Sequence, residues 1–312
     1  MWFWILLFVF FSQAGNSSNS TDTVPDSNNI PMRCNGYESL CDKSIQDVAF
    51  ASSHNSMSNA IDGWFPPDNI YGLTKQLQDG VRALVIDVHP YRYDAYLCHA
   101  HCIMGAKLLF EGLMEVRDFL DENPNEIILF VIENYVPDTK LAEVIQNTGL
   151  AQNAYIHDAE KGWPTLREMI NSHQNLVFSV DTNISEEQFS HRYPDYPIFE
   201  SDNHPSTAPE WIYSNGDLYH LTTWDVPTPE AFNCEADKVA QNPEKLYLLN
   251  HFLLAPFTQR HISERVNYNP FLRDRAMRCL NETGRIPNVI SLTFYSLSDL
   301  FSVIDELNGV NE

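Results

Sequence analysis

Two histidines follow short apolar runs in the first third of the chain, in surroundings that suit acid/base work on a phosphodiester. Phe50-Ala51-Ser52-Ser53-His54-Asn55-Ser56-Met57 ends an apolar stretch with a histidine and an asparagine. Val81-Arg82-Ala83-Leu84-Val85-Ile86-Asp87-Val88 ends in an acid, and Leu97-Cys98-His99 supplies the second histidine. With two imidazoles at neighbouring strand ends and a carboxylate between them, one ring can take a proton from an attacking hydroxyl while the other gives one to the leaving oxygen. Glu133 closes another apolar run, and Asp181 a further one. The blander reading keeps His54 as a buried histidine bonded to backbone and His99 as part of a structural loop. Asp87 and Glu133 then cap helices or pair with Arg82.

The elements that must place these groups alternate between strand and helix. The pattern predicts strands over 47–52, 83–88, 126–132, 176–180, 218–223, 246–252 and 289–294. Helices are expected over 71–78, 107–120, 140–145, 165–172, 235–241, 271–280 and 299–307, with 183–214 an irregular excursion. Strand-then-helix order means parallel strands joined by right-handed crossovers. Seven or eight such units point to a distorted (β/α)8 barrel of the TIM type, in a single domain. His54, Asp87, Glu133 and Asp181 all fall where strands end, which is the chemical edge of such barrels. An open doubly wound sheet would start on a glycine-rich phosphate turn, and none is present.

Composition sets the compartment and narrows the partners. Residues 1–15 join an apolar core, Trp2 to Phe11, to a small-residue cleavage region, which predicts a secretory signal peptide without a basic start. Residues 16–33 read as a disordered polar leader and 34–312 as the barrel. Sequons head at Asn16, Asn19, Asn183 and Asn281, the glycan sites expected of a secreted chain. Six cysteines fit an oxidising compartment. Fifteen pairings are possible; the expected set is Cys34–Cys41, Cys98–Cys102 and Cys234–Cys279. A metal cluster around His99-Ala100-His101 is the weaker reading of the middle pair. A formal charge of −23 argues against nucleic acid and against electrostatic docking on anionic lipid, but leaves room for contact through exposed apolar side chains. The polar end Asp305 to Glu312 lacks the apolar tail of a glycolipid-anchor signal.

Taken in order, several segments resemble the X region of phosphatidylinositol-specific phospholipase C and its secreted phosphodiesterase relatives. They are Ala51 to Ser58, Gly72 to Leu84, Ile86-Asp87, Leu97-Cys98-His99, Phe119-Leu120 through Glu133-Asn134, and Trp163-Pro164-Thr165-Leu166. The resemblance implies a distorted barrel, an inositol-lipid or related phospholipid substrate, and transient membrane contact. It also implies a two-step cleavage through a cyclic phosphate, with His54 as base and His99 as acid. In the calcium-dependent relatives a divalent cation sits on positions matching Asn55, Asp87 and Glu133, but Val85 stands where those relatives carry a further acid. Thr293 likewise stands where many relatives carry an acid that orients the first histidine. Two alternatives share the barrel. One is an inactive protein that binds phospholipid headgroups; the other is a sphingomyelinase-D-like or glycerophosphodiester hydrolase, whose Glu-x-Asp pair Val85 breaks.

Overall fold

In the computed structural model the described residues are 32–158, 160–182, 186–192, 209–254 and 260–310. The expected signal peptide, nearly all of the leader, and the sequons at Asn16, Asn19 and Asn183 lie outside them. Asn281 is exposed on the last turn of a helix.

The chain alternates as the pattern predicts. It runs β1 (Phe50–Ser53), α1 (Leu73–Asp79), β2 (Ala83–Tyr91), β3 (Asp94–Leu97), β4 (Lys107–Leu108), α2 (Leu109–Glu122), β5 (Ile128–Asn134) and α3 (Asp138–Asn147). It continues through α4 (Leu166–Asn171), β6 (Leu176–Thr182), α5 (Glu186–Arg192), β7 (Ile212–Ser214), α6 (Asn215–Leu218) and β8 (Tyr219–Leu221). It closes with α7 (Ala236–Gln241), β9 (Leu246–Asn250), α8 (Arg260–Asn267), α9 (Phe271–Thr283), β10 (Val289–Leu292) and α10 (Leu300–Asn308). Eight strands lie side by side in the order β7-β6-β5-β2-β1-β10-β9-β8, and every adjacent pair is parallel. The sheet curls into a distorted barrel with a seam between β7 and β8, where no ladder is formed among the described residues.

Two apolar layers hold the sheet, and their membership shows which way each strand residue faces. Leu84, Ile86, Ile128, Phe130, Ile132, Leu249 and Ile290 pack with Leu77, Leu113, Val116, Leu141, Leu272 and Leu300 of the helices, so this is the outer face. Phe50, Ala83, Leu129, Val131, Val177, Leu246, Leu248 and Val289 form the inner layer, plugged at one end by Leu40, Ile45 and Leu166. Side chains alternate along a strand. Counting by twos from these inner residues sends His54, Asp87, Glu133, Asp181, Asn250 and Thr293 into the mouth at the C-terminal end of the strands.

Several boundaries differ from the sequence pattern. The first strand begins only at Phe50, because Ile45–Asp47 forms a 3-10 turn capped by the Ser44 hydroxyl. The excursion over 183–214 contains α5 and β7, whose short lengths give little periodic signal. Beyond Asp87, β2 runs on as an antiparallel ribbon with β3, pairing Val88 with Leu97 and Tyr91 with Asp94. Three disulfides join Cys34 to Cys41, Cys98 to Cys102 and Cys234 to Cys279, the same pairs as expected from the sequence, and no cysteine among the described residues is free. No helix among the described residues is long and apolar enough to cross a membrane.

Candidate active site

The barrel mouth gathers the two histidines, and an unforeseen residue, Asp68, bonds one of them. His54 leaves the end of β1 with its backbone fixed from both sides. Its N–H donates to the Leu292 carbonyl at 2.9 Å, and its carbonyl accepts from the Asn69 amide at 2.9 Å. His99 arrives from the opposite direction. The β2–β3 ribbon leaves the barrel and returns, and Cys98 N–H donates to the Asp87 carbonyl at 3.2 Å. The Cys98–Cys102 bridge then closes a small loop around His99.

Asp68 is buried between them. Its Oδ2 lies 2.9 Å from His99 Nδ1 and accepts from Asn55 Nδ2 at 3.2 Å. The same Asn55 nitrogen is 3.3 Å from His99 Nε2. An uncharged His99 satisfies all three contacts at once: Nδ1–H donates to Asp68, and Nε2 accepts from Asn55. Asp68 is itself pinned, since its carbonyl accepts from Phe294 N–H at 2.7 Å and its N–H donates to the Ser58 carbonyl at 3.2 Å. Sequence reasoning missed it because it lies in a loop, Trp64 to Asn69, with no periodicity. The one signal was Pro66-Pro67 directly ahead of an acid, a pair that stiffens backbone.

The electrostatics separate the two imidazoles. Burial pulls His54 down to about 4, with the Asp68 charge opposing and His99 reinforcing. For His99 burial also pulls downward, but the hydrogen bond and charge of Asp68, helped by Asp87 and Glu133, outweigh it and raise the ring above its ordinary value. One ring is thus kept neutral while its neighbour favours the proton, the division that acid/base pairs need.

The acids form a row across three strands. Asp87 on β2 is opposite Glu133 on β5, which is opposite Asp181 on β6. Asp87 is buried, and that burial, with the nearby Glu133 and Asp68 charges, raises its carboxyl well above the usual range against the pull of His99. Glu133 is exposed and accepts from the Tyr135 hydroxyl. Arg82 pairs with Glu126 at 2.7 Å rather than with either mouth acid. Val85 packs with the inner apolar layer below Asp87. Among the described residues no group of three or more histidine, cysteine or acidic side chains is gathered as a metal would need. The donor chemistry of Asp87, Glu133 and the Asn55 side-chain oxygen nonetheless suits a hard cation. A positive ion there would offset the burial and the neighbouring negative charges that raise the Asp87 carboxyl.

Thr293, on the inner face past β10, is buried and shares a 2.9 Å hydrogen bond with the Ser263 hydroxyl. His101 and Ile103 are exposed on the disulfide loop, and His251 is buried under α9.

A parallel α/β barrel whose polar side chains gather at the carboxyl ends of its strands belongs to a class whose chemistry sits at that edge. Comparison with known proteins gives the family. The sequence model of the PI-PLC X domain (PI-PLC X 1) matches residues 40–308, and the chain belongs to that family. A PI-PLC X domain-containing protein of Arabidopsis thaliana is 28% identical over 76% of the chain, which spans about half (54%) of that relative. An uncharacterized secreted protein of Arthroderma benhamiae is 26% identical, covering 94% of the chain and 69% of the relative. Among solved structures, the phosphatidylinositol-specific phospholipase C from Listeria monocytogenes superposes with a TM-score of 0.57 at 14% identity, over 87% of this chain and 96% of that one. A structure of the Staphylococcus aureus enzyme that addresses modulation of its membrane binding gives 0.56 at 14% identity, over 87% and 95%. At these identities the structures establish the shared barrel.

Proposed function

We propose that the protein is a secreted phosphoric diester hydrolase of the phospholipase C type, acting on phosphatidylinositol or a related lipid phosphodiester. The observation that carries the reading is the Asn55–Asp68–His99 bridge beside His54. It fixes the His99 ring, while His54, whose protonation preference is the opposite, stands at the same barrel mouth. In this reading neutral His54 takes the proton of a headgroup hydroxyl, whose oxygen attacks phosphorus. The bond from phosphorus to the glyceride oxygen breaks, and His99 donates a proton to that oxygen, leaving a cyclic phosphodiester. Water then opens the ring with the two roles exchanged. Asp68 holds His99 by Nδ1, so the proton to be given sits on Nε2, where the Asn55 amide must turn aside.

A divalent cation, calcium or magnesium, would be held by Asn55, Asp87 and Glu133 and would supply positive charge beside the phosphate oxygens. Secretion is supported by the three disulfides and by the secreted Arthroderma relative. Membrane contact is supported by large apolar side chains exposed at the rim, Ile61, Phe65 and Ile103. Phe65 N–H donates to the Met104 carbonyl at 2.9 Å, so the loops carrying these side chains adjoin each other and the His99 loop.

A second reading, an inactive barrel that binds headgroups, is favoured by Val85 and Thr293 at positions where acids would help. Hydrolysis of radiolabelled phosphatidylinositol by the purified chain, with and without chelator, decides between them. Cyclic inositol phosphate from the wild type, falling at least ~100-fold in His54→Ala and in His99→Ala, is the expected result. Choline release from sphingomyelin or lysophosphatidylcholine would move the assignment to the sphingomyelinase-D-like class. Lipid binding without turnover of any diester would leave the headgroup-binding role.

A further inference from the structure

An imidazole that works as a base must be aimed, and the usual device is a carboxylate on its second nitrogen. Among the described residues His54 has no such partner. Its Nδ1 is shut off from solvent without a hydrogen bond to any described residue. Thr293 is engaged with Ser263. Asp68, the acid that bonds a histidine here, is bonded to His99. What lies against the His54 ring instead is the face of Phe252, with ring centroids 3.8 Å apart and planes at 21°.

We infer that Phe252 is the residue that positions the His54 imidazole, doing by ring stacking what a carboxylate does elsewhere. The inference rests on His54 acting as the base proposed above. The backbone bonds at His54 fix its Cα, but they leave the side-chain torsions free. A flat surface at stacking distance restricts the ring to one plane.

Phe252 can serve only if it is itself immobile, and the strand end that carries it is clamped. Its exposure is 2%. Asn250 and His251, immediately ahead of it, are both held by Arg275 of α9, whose Nη1 donates to the Asn250 carbonyl at 2.7 Å and to His251 Nδ1 at 3.0 Å. Nη2 of the same guanidinium donates to the Asn233 carbonyl at 3.0 Å, and Phe232 covers it with its ring centroid at 4.1 Å. Since His251 Nδ1 accepts from Arg275, the proton is on Nε2, which donates to the Val266 carbonyl at 3.0 Å. His251 N–H donates to the Ser291 carbonyl at 2.7 Å, and the Asn250 amide to the Thr222 carbonyl at 2.8 Å. These bonds lock the two residues ahead of Phe252 to β8, β10, α8 and α9. Arg275 is buried among carbonyls and an imidazole, an arrangement that secures backbone without placing a carboxylate near the base.

The test uses Phe252→Leu, which keeps an apolar side chain but removes the flat face, and Phe252→Tyr, which keeps the face. In the wild type, the carbon-bound imidazole protons of His54 should resonate upfield, shifted by the Phe252 ring current. Phe252→Leu should abolish that displacement and Phe252→Tyr preserve it, whether or not the chain turns over lipid. In the cyclisation assay, Phe252→Leu should lower kcat by about 10²-fold, the cost of a slightly misplaced reacting group, with KM changed little. Phe252→Tyr should stay close to wild type. Adding Thr293→Asp to Phe252→Leu should recover at least ~10-fold of kcat by restoring an acid to the position that orients the ring. The inference is overturned if the His54 resonances do not depend on Phe252, or if Phe252→Leu is fully active. A loss shared equally by Phe252→Leu and Phe252→Tyr, or one expressed in KM alone, overturns it too. Upfield His54 signals in a chain inactive on every diester would mean that the stacking stands and the hydrolase reading has failed.

Discussion

At the scale of single residues, the proposed mechanism needs a division of labour between two histidines whose surroundings shift them in opposite directions. The sign of each shift can be followed through a titration of the imidazole resonances in metal-free protein. His54, lowered to about 4, loses its proton well below neutrality, whereas His99 keeps its proton past the ordinary histidine value. Between those two points His54 is neutral and His99 charged, the pair of states that the proposed base and acid require. Asp68 holds the upper end of that window, and Asp68→Asn is expected to bring the His99 midpoint down. The same change should cost ~10- to 100-fold in turnover, the range for removing a partner that orients a working imidazole. An unchanged His99 midpoint would show that Asp68 does not govern it. His54, Asn55, Asp87 and Glu133 were legible in the sequence because each ends a strand-like run. Asp68 and Phe252 were not, because one sits in an aperiodic loop and the other resembles an ordinary core aromatic.

At the scale of elements, the periodic runs foretold nearly every barrel strand and its following helix, since alternation and 3.6-residue stripes are written directly in residue order. The β3 and β4 strands escaped notice. Together they span six residues (4 and 2), too few to show a period. Yet they carry His99 to its place, so the part of the scaffold that completes the site was the part least visible. The close approach of Gly105 to Trp64 helps to fix that return path. A Cβ at 105 would lie 2.4 Å from the buried indole. Gly105→Ala should therefore displace the 98–105 loop, costing roughly 1–3 kcal/mol of stability as overpacking does. It should lower turnover more than it lowers substrate binding. A melting temperature and kcat equal to wild type would refute this account.

At the scale of the whole molecule, the lipid contact proposed above would rest on exposed apolar side chains and not on attraction to anionic headgroups, given a net charge of −23. Vesicle binding should accordingly change little as phosphatidylserine or salt is varied. Replacing Ile61, Phe65 and Ile103 together by serine should reduce activity on vesicles several-fold while leaving hydrolysis of a short-chain, monomerically dispersed substrate intact. The expected gain per fully buried side chain of this size is ~1.5–3 kcal/mol, enough for reversible attachment. Equal losses on both substrates would place the three residues in the site rather than at a lipid contact.

His99 sits inside a covalent ring closed by Cys98 and Cys102, which have His99, Ala100 and His101 between them. If His99 acts as the proposed acid, opening that bridge frees the loop that carries it, so a reduced chain is expected to be folded yet inactive. Mild thiol treatment, or paired replacement by serine at 98 and 102, should silence hydrolysis before the barrel melts. Under the proposed function, activity would then appear only where the chain meets an oxidising compartment.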